Sequence, residues 1–213
     1  MRDTQFNSFL DFLKVNPCNS KQTEILIKLD FFSEFGKSQK LMEIFNFYQA
    51  RYDKDKFKKQ IKKDKNPYPV EILAKYSKET EKQFNIIDEA GFCNEMIATF
   101  EDKDLPIAEC LESQAEYLGY IEYVNPKAKN CFYVLDIDTK YSPKLTCYSL
   151  ETGENVVIKM TKGQYYADPE NIIMQKNIIQ ATISPKNKRK KVGNDWIELE
   201  EIEYWVNKYR TVK

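Results

Sequence analysis

The chain has 213 residues, 33 basic and 33 acidic side chains, no histidine and five cysteines, with 42% hydrophobic and 14% aromatic content. That is apolar material for one substantial core or two small ones, which excludes disorder throughout. The missing histidine excludes Ser-His-Asp and Cys-His chemistry, and Cys18, Cys93, Cys110, Cys131 and Cys147 contain no Cys-x-x-Cys pair, which argues against a zinc site or a disulfide framework.

Phe6, Phe9, Leu10 and Leu13 are spaced to give one apolar face of a short helix that Pro17 ends. Asn19 or Ser20 caps the next helix, with Gln22 as a capping-box partner three residues after Asn19. Ile25, Leu26 and Leu29 continue it; Phe31 to Gly36 breaks the period, and Leu41, Ile44, Phe45 and Tyr48 resume it. Two readings of this helix pair stand side by side. A helix-hairpin-helix that grips phosphate needs free backbone N–H groups, which calls for glycine where the chains approach, and Leu29-Asp30 stands there instead. The other reading, an αα-hairpin packing its phenylalanines into a core, is favoured for the hairpin taken alone.

Arg51 to Lys65 holds eight basic residues against Asp53, Asp55 and Asp64, and reads as a basic helix with a solvated face or, second, as a DNA-backbone contact. Asn66-Pro67-Tyr68-Pro69 breaks the chain before Ile72, Leu73 and Tyr76. An amphipathic stretch runs from Phe84 through Ile87 to Ala90 with Gly91 as its stop, and Leu105-Pro106 precedes a last helix carrying Ile107, Cys110, Leu111 and Leu118.

After Leu118 the period becomes two. Residues 131–138, 145–150, 156–160, 178–183 and 196–199 read as five strands, three of them in a meander, followed by a long gap and a final hairpin. The expected architecture is α+β: a helix-hairpin-helix-like module over 1–52, a helical linker over 53–117 and a five-stranded OB-fold barrel over 118–213.

Two constellations carry candidate chemistry. Asp136 and Asp138 project from one side of a strand, as metal-binding carboxylate pairs do, but a third carboxylate and triphosphate-binding cations have no clear candidate. The blander reading puts both on the solvent side of the first strand, with Tyr133, Leu135 and Ile137 facing the core. The loop Ser184 to Asn194 carries Lys186, Lys188, Arg189, Lys190 and Lys191, and in an OB-fold that loop borders the binding groove. Those cations would neutralise phosphates, and Tyr133, Tyr148, Tyr165, Tyr166 and Trp196 are candidate stacking faces, most of them expected in the core. A solvated hairpin tip is the alternative. An acidic patch, Asp195, Glu198, Glu200, Glu201 and Glu203, follows at once.

Leu26-Ile27-Lys28-Leu29-Asp30-Phe31-Phe32-Ser33-Glu34-Phe35-Gly36-Lys37-Ser38-Gln39 resembles a segment of the bacterial C-family replicative polymerases, the DNA polymerase III alpha subunit. Phe9-Leu10-Asp11-Phe12-Leu13 and Val15-Asn16 resemble the lead-in, and Glu116-Tyr117-Leu118-Gly119-Tyr120-Ile121 is similar to the Glu-x-Leu-Gly junction that precedes an OB domain in that family. Asp30 stands where the family has glycine, Ser33 where it has aspartate and Gln39 where it has arginine, which counts against duplex gripping by the hairpin; Lys37 remains as a phosphate contact. The upstream polymerase core has no counterpart here. The resemblance implies a noncatalytic C-terminal portion of a replicase, with DNA, single-stranded or template, and the polymerase core or other replisome proteins as partners. The candidate binding residues are Lys186, Lys188, Arg189, Lys190, Lys191, Lys37, Tyr133 and Tyr148. The alternatives are a replisome protein-interaction module that touches no nucleic acid, and a metal-dependent nucleotidyltransferase using Asp136 and Asp138. No cofactor is expected. With no apolar run near ~20 residues and no apolar stretch after Met1, neither is a membrane partner, and a cytoplasmic location follows.

Overall fold

A computed structural model describes residues 6–212. The chain divides into two compact units, Met1–Ile107 and Ala108–Lys213.

In the first unit, α1 (Phe9–Val15) is opened by Ser8, whose hydroxyl accepts from the Asp11 N–H at 3.1 Å. α2 (Ser20–Lys28) carries the reciprocal capping box: Asn19 accepts from the Gln22 N–H at 2.9 Å and Gln22 accepts from the Asn19 N–H at 3.0 Å. It ends in a Schellman closure. Asp30 adopts φ +59°, the Phe31 N–H reaches the Leu26 carbonyl and the Asp30 N–H the Ile27 carbonyl, both at 3.0 Å. A 3-10 turn, Ser33–Phe35, leads into α3 (Ser38–Arg51). Phe9, Phe12, Phe32 and Phe35 pack with ring centroids 4.9–5.9 Å apart, so the helix pair is an αα-hairpin closed by aromatics.

The basic stretch after it forms no α-helix, only short strands and a 3-10 turn at Lys63–Lys65. β1 (Tyr52–Asp53) and β2 (Lys56–Phe57) make a small hairpin turned by Lys54 at φ +58°, and β3 (Gln60–Lys62) follows. Arg51 explains the reversal: only 7% exposed, its guanidinium lies 5.4 Å from the Phe57 ring and 5.8 Å from the Tyr68 ring and donates to the Gln60 carbonyl at 3.2 Å. The chain folds back over that buried cation. α4 (Val70–Tyr76), β4 (Ser77–Glu79), β5 (Gln83–Ile86) and α5 (Glu89–Ala98) complete the unit, with sheet order β3-β5-β4. Gly91 lies inside α5 and does not stop it. It is glycine because a Cβ there would sit 2.4 Å from Tyr76 Cε1. One core cluster runs from Phe9 to Met96, with members on both sides of Tyr52.

The second unit starts with α6 (Ile107–Ser113) and a π-helical turn, Gln114–Leu118, closed by Gly119 at φ +79°. Five strands follow: β6 (Cys131–Asp138), β7 (Lys144–Ser149), β8 (Asn155–Lys159), β9 (Ile178–Val192) and β10 (Asp195–Val212). They close into a ring in the order β10-β8-β7-β6-β9. All neighbours are antiparallel except β8 and β10, which pair in parallel with Trp205 beside Lys159. α7 (Lys162–Tyr165) lies between β8 and β9 and is capped by a Thr161–Gln164 box; the Gln164 amide also donates to the Val206 carbonyl at 3.2 Å, beside a register shift in β10.

The core of the ring holds Phe132, Val134, Leu145, Cys147, Ile158 and Ile179 among others. That corrects the expected alternation of β6. A bulge between Val134 and Asp136 leaves Leu135 unpaired and inverts the phase, so Phe132 and Val134 face the core before it and Ile137 packs on the core after it. Among the described residues no helix is long and apolar enough to cross a membrane.

Candidate nucleic-acid interface

The basic run from Lys186 to Lys191 is strand, not loop. β9 runs through it to Val192, and the two residues Gly193-Asn194 turn the chain into β10. Gly193 has φ +65° while Asn194 does not enter the left-handed region, the pattern of a II′ hairpin turn with glycine at its first central position. Residues 185–192 and 195–204 form a two-stranded ribbon whose side chains are mostly exposed.

A groove of about 820 Å³ opens at the base of this ribbon. Ser142 of the β6–β7 loop, Lys159 of β8, Thr161, and Lys186, Arg189, Trp196 and Trp205 of the ribbon line it, with Glu198 and Glu203. Trp196 is 65% exposed. The Trp205 ring lies 5.2 Å from the Lys186 ammonium and 5.9 Å from that of Lys159. Lys159 also pairs with Glu203. Burial pushes the Glu203 carboxyl up, but hydrogen bonds from Lys159 and Trp205, with both Lys159 and Lys188 charges nearby, hold it below its usual range overall.

The expected row of free cations is only partly present, because the acidic patch of β10 faces it across the ribbon. Arg189 gives two hydrogen bonds, 3.1 Å from Nε and 2.7 Å from Nη2, to one oxygen of Glu198. The Lys188 ammonium lies 2.5 Å from Glu201, whose hydrogen bond first and charge second hold it protonated above the usual lysine range. Lys186, Lys190 and Lys191 have no carboxylate partner among the described residues.

Tyr133 and Tyr148 offer no stacking face. They are 2% and 5% exposed, and the Tyr148 hydroxyl donates to the Tyr123 carbonyl at 3.0 Å. Neither belongs to the cluster inside the ring, which takes Phe132, Val134 and Cys147 from the same strands, so both tyrosines are buried on the opposite face of β6 and β7. Tyr165 is also buried, whereas Tyr166 is half exposed. Lys37 belongs to the first unit, and its ammonium lies 2.8 Å from the Asp104 carboxylate. The hairpin it follows has committed the Leu29, Asp30, Phe31, Ser33, Phe35 and Gly36 N–H groups to its own carbonyls. Asp136 and Asp138 are exposed; Asp136 accepts from the Gln175 amide at 2.7 Å and Asp138 from the Lys140 N–H at 2.9 Å. Among the described residues no group of three or more acidic or cysteine side chains converges as a metal site would require.

Lys159, Ser142 and Trp205 were not legible as site residues in the linear sequence, because the ring closure alone brings them together. A signal for the strand that carries Trp205 did exist: Glu201-Ile202-Glu203-Tyr204 alternates charged and apolar residues, which extends the last strand past Leu199.

No family model matches this chain, and neither a curated protein nor a solved structure does.

Proposed function

We propose that the second unit is an OB-type barrel that holds single-stranded polynucleotide at the base of its ribbon, without catalysing a reaction. The observation that carries this reading is the connectivity: a three-strand meander, a short helix, a final hairpin, and closure by one parallel pairing between the third and fifth strands. On an OB barrel the loops between the first and second strands and between the fourth and fifth border the binding surface. Here those are the Ser142 loop and the ribbon, and they share the groove with Lys159, Lys186, Trp196 and Trp205. The exposed Trp196 indole and the Lys186 ammonium, which has no carboxylate partner among the described residues, together suit a strand whose bases stack and whose phosphates need neutralising. In context, the chain resembles the C-terminal region of a C-family replicative polymerase, and the reading places it there as the part that holds template while another segment or chain transfers nucleotides.

A second reading rests on its own observation. Val192, Trp196, Ile197, Ile202 and Tyr204 leave apolar surface exposed along a ribbon with balanced charge, which suits docking of a replisome protein as well.

Fluorescence anisotropy with labelled single-stranded DNA and RNA separates the two. The first reading expects saturable binding that weakens as salt rises and weakens by roughly 1–3 kcal/mol in Trp196→Ala. Absence of binding at low salt to both polymers leaves the protein-docking reading.

A further inference from the structure

Resting on the reading of the groove as a polynucleotide site, we propose that the acidic arm of the ribbon is a built-in competitor for phosphate that keeps two of the ribbon's cations occupied when a strand binds. Three observations carry this. The first is chemical: Arg189 grips Glu198 through Nε and Nη2 on a single oxygen, two of the donors a guanidinium would turn toward a phosphate. The second is positional. Between the pairs Glu198↔Arg189 and Ile202↔Asn187, β10 carries Leu199, Glu200 and Glu201 against Lys188 alone, and Glu201 sits on the Lys188 ammonium. The third is the division of labour. Lys190 and Lys191 at the tip and Lys186 on the Trp205 ring have no carboxylate partner, so the ribbon presents three available cations and holds two in reserve.

Both occupied pairs are exposed, with side chains 44–66% accessible. Solvated pairs of this kind contribute little to stability, so removing their carboxylates leaves the ribbon folded. The consequence is a site with damped affinity and damped salt response. A strand touching only the three available cations releases about two counterions by the single-strand relation, whereas five would release about three and a half.

The test is an anisotropy titration of the full chain with a fluorescein-labelled oligodeoxythymidylate of about 20 nucleotides, long enough for any OB site, between about 50 and about 200 mM salt. Glu198→Gln/Glu201→Gln is expected to bind several-fold tighter at the low end, and the slope of log K on log salt to steepen from about −2 toward about −3.5. Lys188→Ala/Arg189→Ala, added to the glutamine variant, is expected to abolish the gain. Circular dichroism melts confirm that each variant folds. Equal affinity and slope for wild type and glutamine variant, with binding present in both, overturns the competitor and leaves the groove standing. Binding by the variant alone supports it. Failure of both to bind at the lowest salt removes the groove and the competitor together.

Discussion

Tyr133 and Tyr148 stand directly opposite one another in the register of β6 and β7, both buried, with the Tyr148 hydroxyl donating to the Tyr123 carbonyl at 3.0 Å. Their role is therefore in packing. Tyr133→Ala should cost about 3–5 kcal/mol in urea unfolding, and Tyr148→Phe about 1 kcal/mol for the lost hydrogen bond. Tyr148→Phe should bind an oligonucleotide as the wild type does.

Gly91 is tied to the ring of Tyr76. A Cβ would come within 2.4 Å of Tyr76 Cε1 and of the Asp88 carboxylate that caps α5. Gly91→Ala should destabilise the first unit by about 1–3 kcal/mol by overpacking, although alanine is the better helix former. Thermal melts of the two forms check it; a gain in stability would mean that Tyr76 moves freely.

Asp30 adopts the left-handed conformation that glycine takes without strain. Its carboxyl is pushed up, by burial first and by the nearby Asp104 charge second. Asp30→Gly should therefore leave stability unchanged or raise it by up to about 1 kcal/mol. It should not create duplex binding, because the N–H groups of that turn are already spent on the Schellman closure and the 3-10 turn. A gel-shift with duplex DNA reads the second half of this prediction.

These cases mark how far the sequence could be read. Helix caps and helix faces were legible because they are local: Asn19 and Gln22 form their box, and the period of Leu41, Ile44 and Phe45 is the buried face of α3. The meander and the last hairpin were legible from alternation and from Gly153 at φ +76°. What failed depended on distant partners. Arg51 looked like one more surface cation until Phe57 and Tyr68 enclosed it, and Gly91 looked like a stop until Tyr76 crossed it. The bulge at Leu135 has no local marker, yet it decides that Phe132, Val134 and Ile137 face the inside of the ring. At the site, the cations of β9 and the acidic patch of β10 were both visible, but which carboxylate meets which cation was not, since the pairing depends on where the hairpin turns.

Glu203 gives a pH signature. Its carboxyl is held below its usual 4.5 beside Lys159, in a pair whose side chains are only 20% and 15% exposed. A carboxylate with a depressed folded value contributes stability that is present above its unfolded value and lost as pH falls through the folded one. The stability difference between wild type and Glu203→Gln should therefore be largest near neutrality and shrink below about pH 4.5. The same comparison for Glu198→Gln, whose pair with Arg189 is exposed, should stay within about 1 kcal/mol throughout. Urea unfolding from pH 7 to about pH 3 measures both.

The chain has two tryptophans, Trp196 and Trp205, and both line the groove, so tryptophan emission excited to the red of the tyrosine band reports on the site. Titrating the full chain with single-stranded oligonucleotide at low salt should quench that emission in a saturable way, reversed by added salt and reduced in Trp196→Ala. Emission unchanged by either DNA or RNA, in protein that melts cooperatively, would contradict the groove as a polynucleotide site.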